Sequence, residues 1–508
     1  MKKRFLSLVV SFFCVCSSLI GVGCQGTGTG TSATTKTPPE YTQNSEQKFV
    51  FWSYAPTDGI YRQNGEEFYS GEDFRTEEQY QMYKDVGFNM LHLSSTVRAD
   101  NVSSKAEYDA NNLAALAAAN NVGFDQIIIS DWRIAAVLSK TTGGLIGRDK
   151  MFPNEAALDA YIAECISYYK DIEGVNAFNV GDEPRMDQLE AFGQVYQSIG
   201  RVWPEAYRFY NFFGGIENEE AFGRIVPREG QSRWDAAKEL YEEYIYTAID
   251  CMGGDIPYLS FDRYPLIASG VHVEYFPTLE ILAKICKQKG MELYAWTQSC
   301  EMYSGSTLIY RKVNRTDVQW MNNSLLGFGV SGIGCFTYST TDWTNGEIFA
   351  DGGSLLTYDH EKTEIYDYYQ EICARNQDFA SVILSFDYRG CRTYSVSNSP
   401  IDVGHVKGVD NTHVFKAISD VSIDKGCALV TELYDTKTRN SMYMIMNAID
   451  TQVKGSKAYQ TTTVTFDNQY SHVLVFKNAI NEPYTVELKN HKLEIEQTPG
   501  EAVYVIPY

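Results

Sequence analysis

The sequence predicts a (β/α)8 or TIM barrel, a fold of the α/β class, followed by a C-terminal antiparallel β-sandwich domain. Three observations lead to this fold class. The chain has 508 residues, which is too long for one ordinary domain, because single hydrophobic cores stop growing at about 250–300 residues. Short apolar runs alternate with longer amphipathic segments from residue 48 onward, as in βα units. After residue 384, apolar and polar residues alternate in short runs, which is typical of antiparallel strands.

Eight apolar runs are the predicted barrel strands, and a helical segment follows each of them. The strands are predicted over residues 49–54, 89–94, 126–131, 175–181, 208–213, 258–264, 292–298 and 332–338. The helices are predicted over residues 77–86, 107–119, 155–170, 187–199, 234–248, 278–287, 318–326 and 362–383. Eight such pairs are the number in a closed (β/α)8 barrel, and a doubly wound open sheet is the alternative.

The chain divides into four predicted regions: an export signal (1–23), a flexible tether (24–47), a catalytic-type barrel (48–384) and a β-sandwich accessory domain (385–508). The first region has a basic start, an apolar stretch and a small-residue end, as signal peptides do. Cys24 follows, and its Gly-Val-Gly-Cys context resembles the cleavage box of bacterial lipoproteins, in which this cysteine is lipidated. We therefore expect an extracytoplasmic protein, anchored by lipid at Cys24 to the bacterial cell surface or periplasmic face.

Composition excludes several classes of function. A formal net charge of −22 argues against nucleic acid or an anionic membrane as the main partner, because phosphate binding needs clustered Lys and Arg. The cysteines are scattered without a CxxC pair, so no metal site or cofactor is expected.

A GxGxxG match at residues 327–332 follows a helix and precedes a strand, the reverse of the dinucleotide-binding order. Aromatic residues make up 14% of the chain, which suits either a large aromatic core or stacking against sugar rings.

Chemistry-bearing residues follow the predicted strands, where the active site of a (β/α)8 barrel lies. The fourth strand ends in Gly-Asp182-Glu183-Pro184. Two adjacent carboxylates there indicate a catalytic site, although capping of the next helix is the structural alternative. Other strand ends supply aromatic, amide and carboxylate side chains that suit carbohydrate binding; the candidate substrate-binding residues are Asp131, Trp132, Asp182, Asn211, Tyr264, Trp296, Gln298, Tyr338 and Asp342.

Three of these segments resemble a known family. The Gly-Asp-Glu-Pro ending is similar to the Asn-Glu-Pro ending in retaining glycoside hydrolases of the large (β/α)8 clan. The Ala-Trp296-Thr-Gln298 ending and the segment at residues 332–338 resemble β-galactosidase-like glycosyl hydrolases, which carry a β-sandwich after the barrel. The resemblance covers about residues 48–508. It implies a carbohydrate substrate, cleavage of O-glycosidic bonds, and Glu183 as the general acid/base.

The sequence leaves open which residue is the second catalytic carboxylate. Asp182 stands where the clan has the Asn that holds the sugar 2-hydroxyl, and Gln298 stands in the place of the nucleophilic Glu. Glycoside hydrolysis uses two carboxyl groups. Asp262 ends the sixth predicted strand, Glu301 follows Gln298, and Asp342 follows the eighth strand. The catalytic candidates are Glu183, Asp262 and Glu301.

Two functions follow from this pattern. The first is an extracytoplasmic glycoside hydrolase in which Glu183 acts with Asp262 or Glu301. The second is a non-catalytic, carbohydrate-binding surface lipoprotein on a degenerate barrel, motivated by Gln298 in the nucleophile position. A solute-binding transport component shares the lipid anchor, but eight successive βα units argue against its two-lobed architecture.

Overall fold

The computed structural model describes residues 36–54, 61–63, 66–68, 74–93, 105–340, 347–397 and 399–508. Residues 38–508 form one compact unit. Cys24 and Asp342 lie outside the described residues, as does the side chain of Trp132, so the expectations for these three stay predictions. Among the described helices, none combines the length and the hydropathy that crossing a bilayer requires.

Eight parallel strands form the barrel in chain order, and the eighth pairs with the first. They are Val50–Ser53, Met90–His92, Gln126–Ile129, Val175–Asp182, Tyr207–Phe213, Tyr258–Asp262, Glu292–Gln298 and Val330–Phe336. Asn89 joins the first strand to the second: its backbone N–H donates to Phe51 O at 3.1 Å, and its Oδ1 accepts from Phe51 N at 2.8 Å. The structure therefore confirms the (β/α)8 prediction and excludes the open doubly wound sheet.

Ten α-helices lie in the described part of the chain, mostly around the barrel. They are Glu77–Asp85, Lys105–Val122, Trp132–Ser139, Glu155–Ile166, Leu189–Val202, Glu219–Phe222, Arg233–Cys251, Tyr275–Lys289, Arg315–Gly327 and Glu364–Ile383. Short polar residues begin many of them, because a side-chain oxygen satisfies an otherwise unpaired N–H of the first turn. Thr76, Asn154, Ser232 and Asn314 act in this way.

Aromatic rings fill the barrel interior. Trp52 packs edge-on against Trp296 with ring centroids 5.3 Å apart, and it also contacts Phe209 and Tyr294. Gly334 on the eighth strand makes room for these rings, since a Cβ there would lie 2.6 Å from Trp52 Nε1 and 2.8 Å from Trp296 Cε3. Much of the aromatic content of the sequence therefore belongs to the core.

A small antiparallel sheet covers part of the barrel mouth, and the sequence did not predict it. Its strands come from the loops after the sixth, seventh and eighth barrel strands: Leu266–Ile267, Gly270–Val271, Met302–Ser304, Thr307–Tyr310 and Glu347–Phe349. A separate two-stranded hairpin pairs Tyr61–Gln63 with Glu66–Phe68. The small sheet is completed by pairings between different loops, Tyr310 with Ile267 and Met302–Ser304 with Glu347–Phe349, so no local pattern predicts it.

The C-terminal region is a sandwich of two antiparallel sheets, as predicted. The larger sheet contains Asp387–Ser395, Cys427–Tyr434, Ser441–Asn447, Ala502–Pro507, His472–Lys477 and Tyr484–Glu487, in that spatial order. The smaller sheet contains Ile418–Ile423, Gln460–Phe466 and Lys492–Gln497. Between the sheets lies an apolar core that includes Val430, Tyr443, Val464, Val473 and Val505.

The larger sheet is buried on both faces, because its second face packs against the barrel helices. Met444 and Tyr504 on that face belong to the barrel core cluster. Asn323 fixes the contact: its Nδ2 donates to Gly500 O at 2.8 Å, and its Oδ1 accepts from Tyr504 Oη at 3.2 Å. The barrel and the sandwich therefore share one core.

Candidate functional site

A cavity of about 640 Å³ opens at the carboxyl ends of the barrel strands. Its walls combine aromatic rings with acidic and amide side chains, and they include Tyr54, His92, Asn179, Asp182, Glu183, Phe209, Asn211, Asp262, Tyr264, Trp296, Met302, Tyr310 and Phe336. Barrel enzymes use this end of the fold because residues from different strands converge there.

The end of the fourth strand places Glu183 in the cavity with an unusual backbone. Gly181 allows close packing, since a Cβ there would lie 3.0 Å from the Phe192 ring. Glu183 has φ 45°, in the left-handed region that few non-glycine residues occupy. Its backbone N–H donates to Asn211 O at 2.9 Å, which holds this conformation. Strained backbone of this kind is common at functional sites, where the surrounding structure stabilises it.

Asn211 links two carboxylates on neighbouring parts of the barrel. Its Nδ2 donates to Asp182 Oδ1 at 3.1 Å and to Asp262 Oδ1 at 2.9 Å. Ser260 Oγ donates to Asn211 Oδ1 at 2.9 Å, which fixes the orientation of the amide. Asn211 was predicted to bind a sugar hydroxyl, but its amide N–H groups serve the two carboxylates instead. Its position indicates a role in holding Asp182 and Asp262.

Glu183 and Asp262 are in direct contact. A hydrogen bond from Glu183 lowers the pKa of Asp262, whereas burial, the largest influence, raises it. Two carboxyl groups in contact share one proton, because both cannot be ionised at so short a distance. The site therefore holds two carboxyl groups that share a proton.

Asp182 lines the cavity and is exposed to solvent there. The surrounding protein, together with the negative charge of Asp262, raises the pKa of Asp182 to about 7, and the hydrogen bond from Asn211 opposes this. Asp182 therefore exchanges its proton near neutral pH, and it is the most exposed of the three carboxyl groups in the cavity.

A cation next to Asp262 is held by two residues that sequence reasoning missed. Arg263 Nη2 lies 2.6 Å from Glu274 Oε2 and 2.8 Å from His272 Nδ1. Burial and the charge of Arg263 lower the pKa of His272 to about 4, so the ring is neutral and can accept from the guanidinium. The charge of Arg263 lowers the pKa of Asp262. Neither His272 nor Glu274 stands in a recognisable motif, so only the fold reveals them.

Aromatic rings form the opposite wall of the cavity. Tyr264 stacks on Phe336 with ring centroids 5.0 Å apart, and Tyr54 also contacts Phe336 at 5.5 Å. Trp296 lines the cavity but is only 6% exposed, because most of its ring packs in the barrel core. His92, also in the wall, is neutral, since burial lowers its pKa to about 3. Tyr264 and Trp296 thus lie where they were expected.

Gln298 does not line the cavity. Its side chain is fully buried, with Oε1 accepting from Leu266 N at 3.0 Å and Nε2 donating to Leu266 O at 3.1 Å and Arg311 O at 2.8 Å. These bonds hold together the loops after the sixth and seventh strands. Gln298 therefore supports the loops, contrary to the expectation of a ligand for a sugar hydroxyl.

Asp131 and Tyr338 also lie away from the cavity. Asp131 is buried, caps the helix Trp132–Ser139 and accepts from Arg133 Nε at 2.8 Å. The eighth strand ends at Phe336, two residues before the predicted end, and Tyr338 is buried against Tyr83 with ring centroids 5.0 Å apart. Both residues serve packing and capping, contrary to the expectation of sugar contacts.

Of the two candidates for the second carboxylate, Asp262 lies in the cavity and Glu301 does not. Glu301 Oε1 accepts from Tyr303 Oη at 2.7 Å, and the Glu301 backbone is bonded to Ala350 and Gly353. The structure thus brings Glu183 together with Asp262. Within the described residues, no group of three or more His, Cys, Asp or Glu side chains could hold a metal ion.

No family model matches the chain, and no curated protein matches it. The chain is similar to solved structures of glycoside hydrolases. These include a glucosidase from Croceicoccus marinus, with 10% identity, a TM-score of 0.41 and coverage of 92% of this chain and 97% of that chain. An α-amylase from Anoxybacillus has 7% identity, a TM-score of 0.46 and coverage of 91% and 98%.

A glycoside hydrolase family 5 protein from Bacteroides vulgatus has 11% identity, a TM-score of 0.42 and coverage of 91% and 93%. With TM-scores below 0.5, these likenesses carry no argument about the activity of this chain. The strand topology establishes the fold, and the residues of the cavity carry the functional argument.

Proposed function

We propose that this protein is a glycoside hydrolase that cleaves O-glycosidic bonds of oligo- or polysaccharides, with Glu183 as general acid/base and Asp262 as its partner. The observation that carries the proposal is the hydrogen bond between these two carboxyl groups inside an aromatic-walled cavity. Glycosidic cleavage needs one carboxyl group to protonate the leaving oxygen and a second to act on the anomeric carbon or on water.

The surroundings of the pair favour different protonation states for its two members. Burial raises the pKa of Asp262, and the hydrogen bond from Asn211 and the charge of Arg263 oppose this rise and favour the ionised form. The shared proton then stays on Glu183, the group suited to donate it to a leaving oxygen. Such separation of two neighbouring carboxyl groups by their environments is the pattern of acid/base pairs in enzymes.

Substrate binding has to part the two carboxyl groups. Their direct contact is closer than the separations of about 5–5.5 Å in retaining enzymes and about 6.5–9.5 Å in inverting enzymes. A glycosidic oxygen would replace Asp262 as the acceptor of the Glu183 proton, and Asp262 would be freed to act on the sugar. Tyr264 and Phe336 stack in the wall beside this point and offer aromatic surface to a sugar ring.

The proposal includes an extracytoplasmic position with a lipid anchor at Cys24. Its support is the basic and apolar start of the chain, the small residues before Cys24, and the tether that follows. Polysaccharides cannot cross a membrane before they are cut or captured, so this position suits the proposed substrate.

The test is hydrolysis by the mature chain on a broad panel of glycans, followed by Glu183→Gln. The variant keeps the size of the side chain but has no proton to donate, so we expect cleavage of a responsive glycan to fall by about 10²–10⁴-fold. Glu301→Gln is the matched control, because Glu301 lies outside the cavity, and it should retain activity. Unchanged turnover in Glu183→Gln, with a folded protein, would contradict the assignment.

A second candidate is a carbohydrate-binding protein without hydrolytic activity. It is favoured by Gln298, which ends the seventh strand as a neutral residue whose amide is committed to backbone groups. The same panel separates the two functions. If the protein binds glycans of the panel but releases reducing ends from none of them, the result would favour the binding protein.

A further inference from the structure

The floor of the cavity is rich in acceptors and poor in donors. Asp182, Glu183 and Asp262 bring three carboxyl groups to it. The Asn211 amide is shared between two of them. Asp182 remains open to the cavity. A ligand that reaches this floor therefore has to supply hydrogen-bond donors, as hydroxyl and ammonium groups do.

No positive charge faces this floor among the described residues that line the cavity. Arg263 is close to Asp262, but its Nη2 is bound to Glu274 and His272. His92 lines the wall and is neutral, because burial lowers its pKa to about 3. Among the described lining residues, no cation therefore offsets the negative charge that these carboxyl groups present to a ligand.

Trp296 adds aromatic surface to the wall of this cavity, although only 6% of the residue is exposed. Aromatic rings pack against the apolar faces of sugar rings. The hydroxyl groups of a neutral sugar donate hydrogen bonds, so they can satisfy the carboxyl groups.

We propose that Asp182 makes the cavity selective by charge, so that it takes neutral sugars and sugars with a free amine and rejects uronic acids and sulfated sugars. This inference rests on the proposed function only in that the ligand is a carbohydrate. A carboxylate or sulfate on the bound ring would face Asp182 and Asp262 in a partly enclosed cavity, where like charges repel more strongly than in bulk water. A neutral ring meets no such repulsion, and an ammonium group is attracted.

The test compares three matched sugars in both the gluco and galacto series: the methyl glycoside, its 2-amino-2-deoxy analogue and its uronate. Equilibrium binding to the intact mature chain is measured at pH 7.5 by calorimetry. We expect the uronate to bind at least about tenfold more weakly than the neutral glycoside, and the amino sugar to bind as well or better. A uronate that binds as tightly as the neutral sugar would overturn the inference.

Asp182→Asn provides the matched variant. It removes the charge and keeps the shape, so the preference for the neutral sugar over the uronate should shrink several-fold. Glu301→Gln, outside the cavity, should leave the preference unchanged. A preference that is the same in Asp182→Asn as in the native chain would overturn the role of Asp182.

Binding and cleavage are read separately, so the two proposals can fail independently. Selective binding without cleavage of any glycan would contradict the hydrolase and support the charge selection. Cleavage without discrimination against uronates would do the opposite. A complete lack of sugar binding would overturn both.

Discussion

Glu183 and Asp262 are joined by a side-chain hydrogen bond in the barrel cavity, and this bond lowers the pKa of Asp262. The two residues come from the ends of the fourth and sixth strands, 79 positions apart in the chain by their numbers. Closure of the barrel brings them together, and the backbone of Glu183 takes a left-handed conformation at this point. Residues that tune or support this pair are therefore the ones whose replacement is most informative.

Asn211→Leu should move the acidic limb of the pH–activity profile to higher pH. Asn211 lowers the pKa of Asp262, so its loss raises that pKa, and Asp262 then becomes ionised only at higher pH. We expect a shift of about one pH unit in kcat/KM for a responsive glycan. Asn176→Leu is the control, because its amide binds Asp125 O at 2.8 Å on an exposed edge. An unshifted limb in Asn211→Leu would contradict the assignment of Asp262 as an ionised partner.

Arg263→Met should shift the same limb in the same direction, because the guanidinium charge also lowers the pKa of Asp262. The substitution leaves Glu274 without its ion-pair partner, so a loss of stability is expected as well. The double variant Arg263→Met with Glu274→Gln separates the two effects, since it restores neutrality and should regain stability while the limb stays shifted. Arg201→Met breaks a more exposed ion pair with Asp159 and should leave the limb in place. If the acidic limb returned to its native position in the double variant, this would argue against the effect of Arg263 on the pKa of Asp262.

Gln298→Glu should destabilise the protein without creating a hydrolase of higher activity. In the native chain, Gln298 Nε2 donates to two backbone carbonyl oxygens in a fully buried site. A carboxylate at this position would face these two carbonyl oxygens and would have no N–H to donate to them. We expect the free energy of unfolding to fall by about 3 kcal/mol, measured by urea denaturation. Gln231→Glu in an exposed loop is the control. A stable Gln298→Glu variant with a gain in hydrolysis would show that this position does serve the cavity.

The raised pKa of Asp182 predicts a pH dependence of stability. A carboxyl group whose folded-state pKa lies above its unfolded value stabilises the fold most at low pH. That contribution is lost as the pH rises through the folded-state value of about 7. Melting temperatures of Asp182→Asn and the native chain should therefore diverge in favour of the variant between about pH 4 and pH 7. Asp149→Asn, an exposed loop residue, should run parallel to the native chain. Parallel curves for Asp182→Asn would mean that Asp182 is not perturbed by its surroundings.

Cys24→Ala should release the protein from the membrane if Cys24 is lipidated. The sequence context of Cys24 predicts acylation, and lipid attachment is what holds such a protein at a bilayer surface. Metabolic labelling with a radioactive fatty acid should mark the native chain and leave Cys24→Ala unmarked. Cys251→Ala is the control, since Cys251 lies far along the chain in a barrel helix. Label in the Cys24→Ala variant would exclude this anchor site.

Much of the fold was predictable because each βα unit carries its own local pattern. The seventh strand was predicted at its observed bounds, Glu292–Gln298, and the sixth was predicted from its first residue, Tyr258. The eighth strand was predicted two residues too late. Its inward-facing positions include Gly332 and Gly334, which make room for Tyr294 and for Trp52 and Trp296, so hydrophobicity alone does not mark its start.

The site was predictable only in part, because the direction of a side chain at a strand end depends on neighbouring loops. Glu183, Asp262 and Tyr264 line the cavity as expected. The prediction that Gln298 faces the cavity was wrong, because the loops after the sixth and seventh strands come close enough to bind its amide. Arg263 and its partners His272 and Glu274 belong to no recognisable sequence motif, so only the fold reveals their contact with one another.

The sequence by itself determined the barrel, the sandwich and the carboxylate pair at the end of the fourth strand, because periodicity and strand-end composition are local properties. The tertiary structure decided which second carboxylate meets Glu183. It also decided that Asn211 holds two carboxylates and that Asp182 is the most exposed carboxyl group of the cavity. These relationships join residues of different strands, and the energies that govern them depend on distance and burial, which exist only once the chain has closed into a barrel.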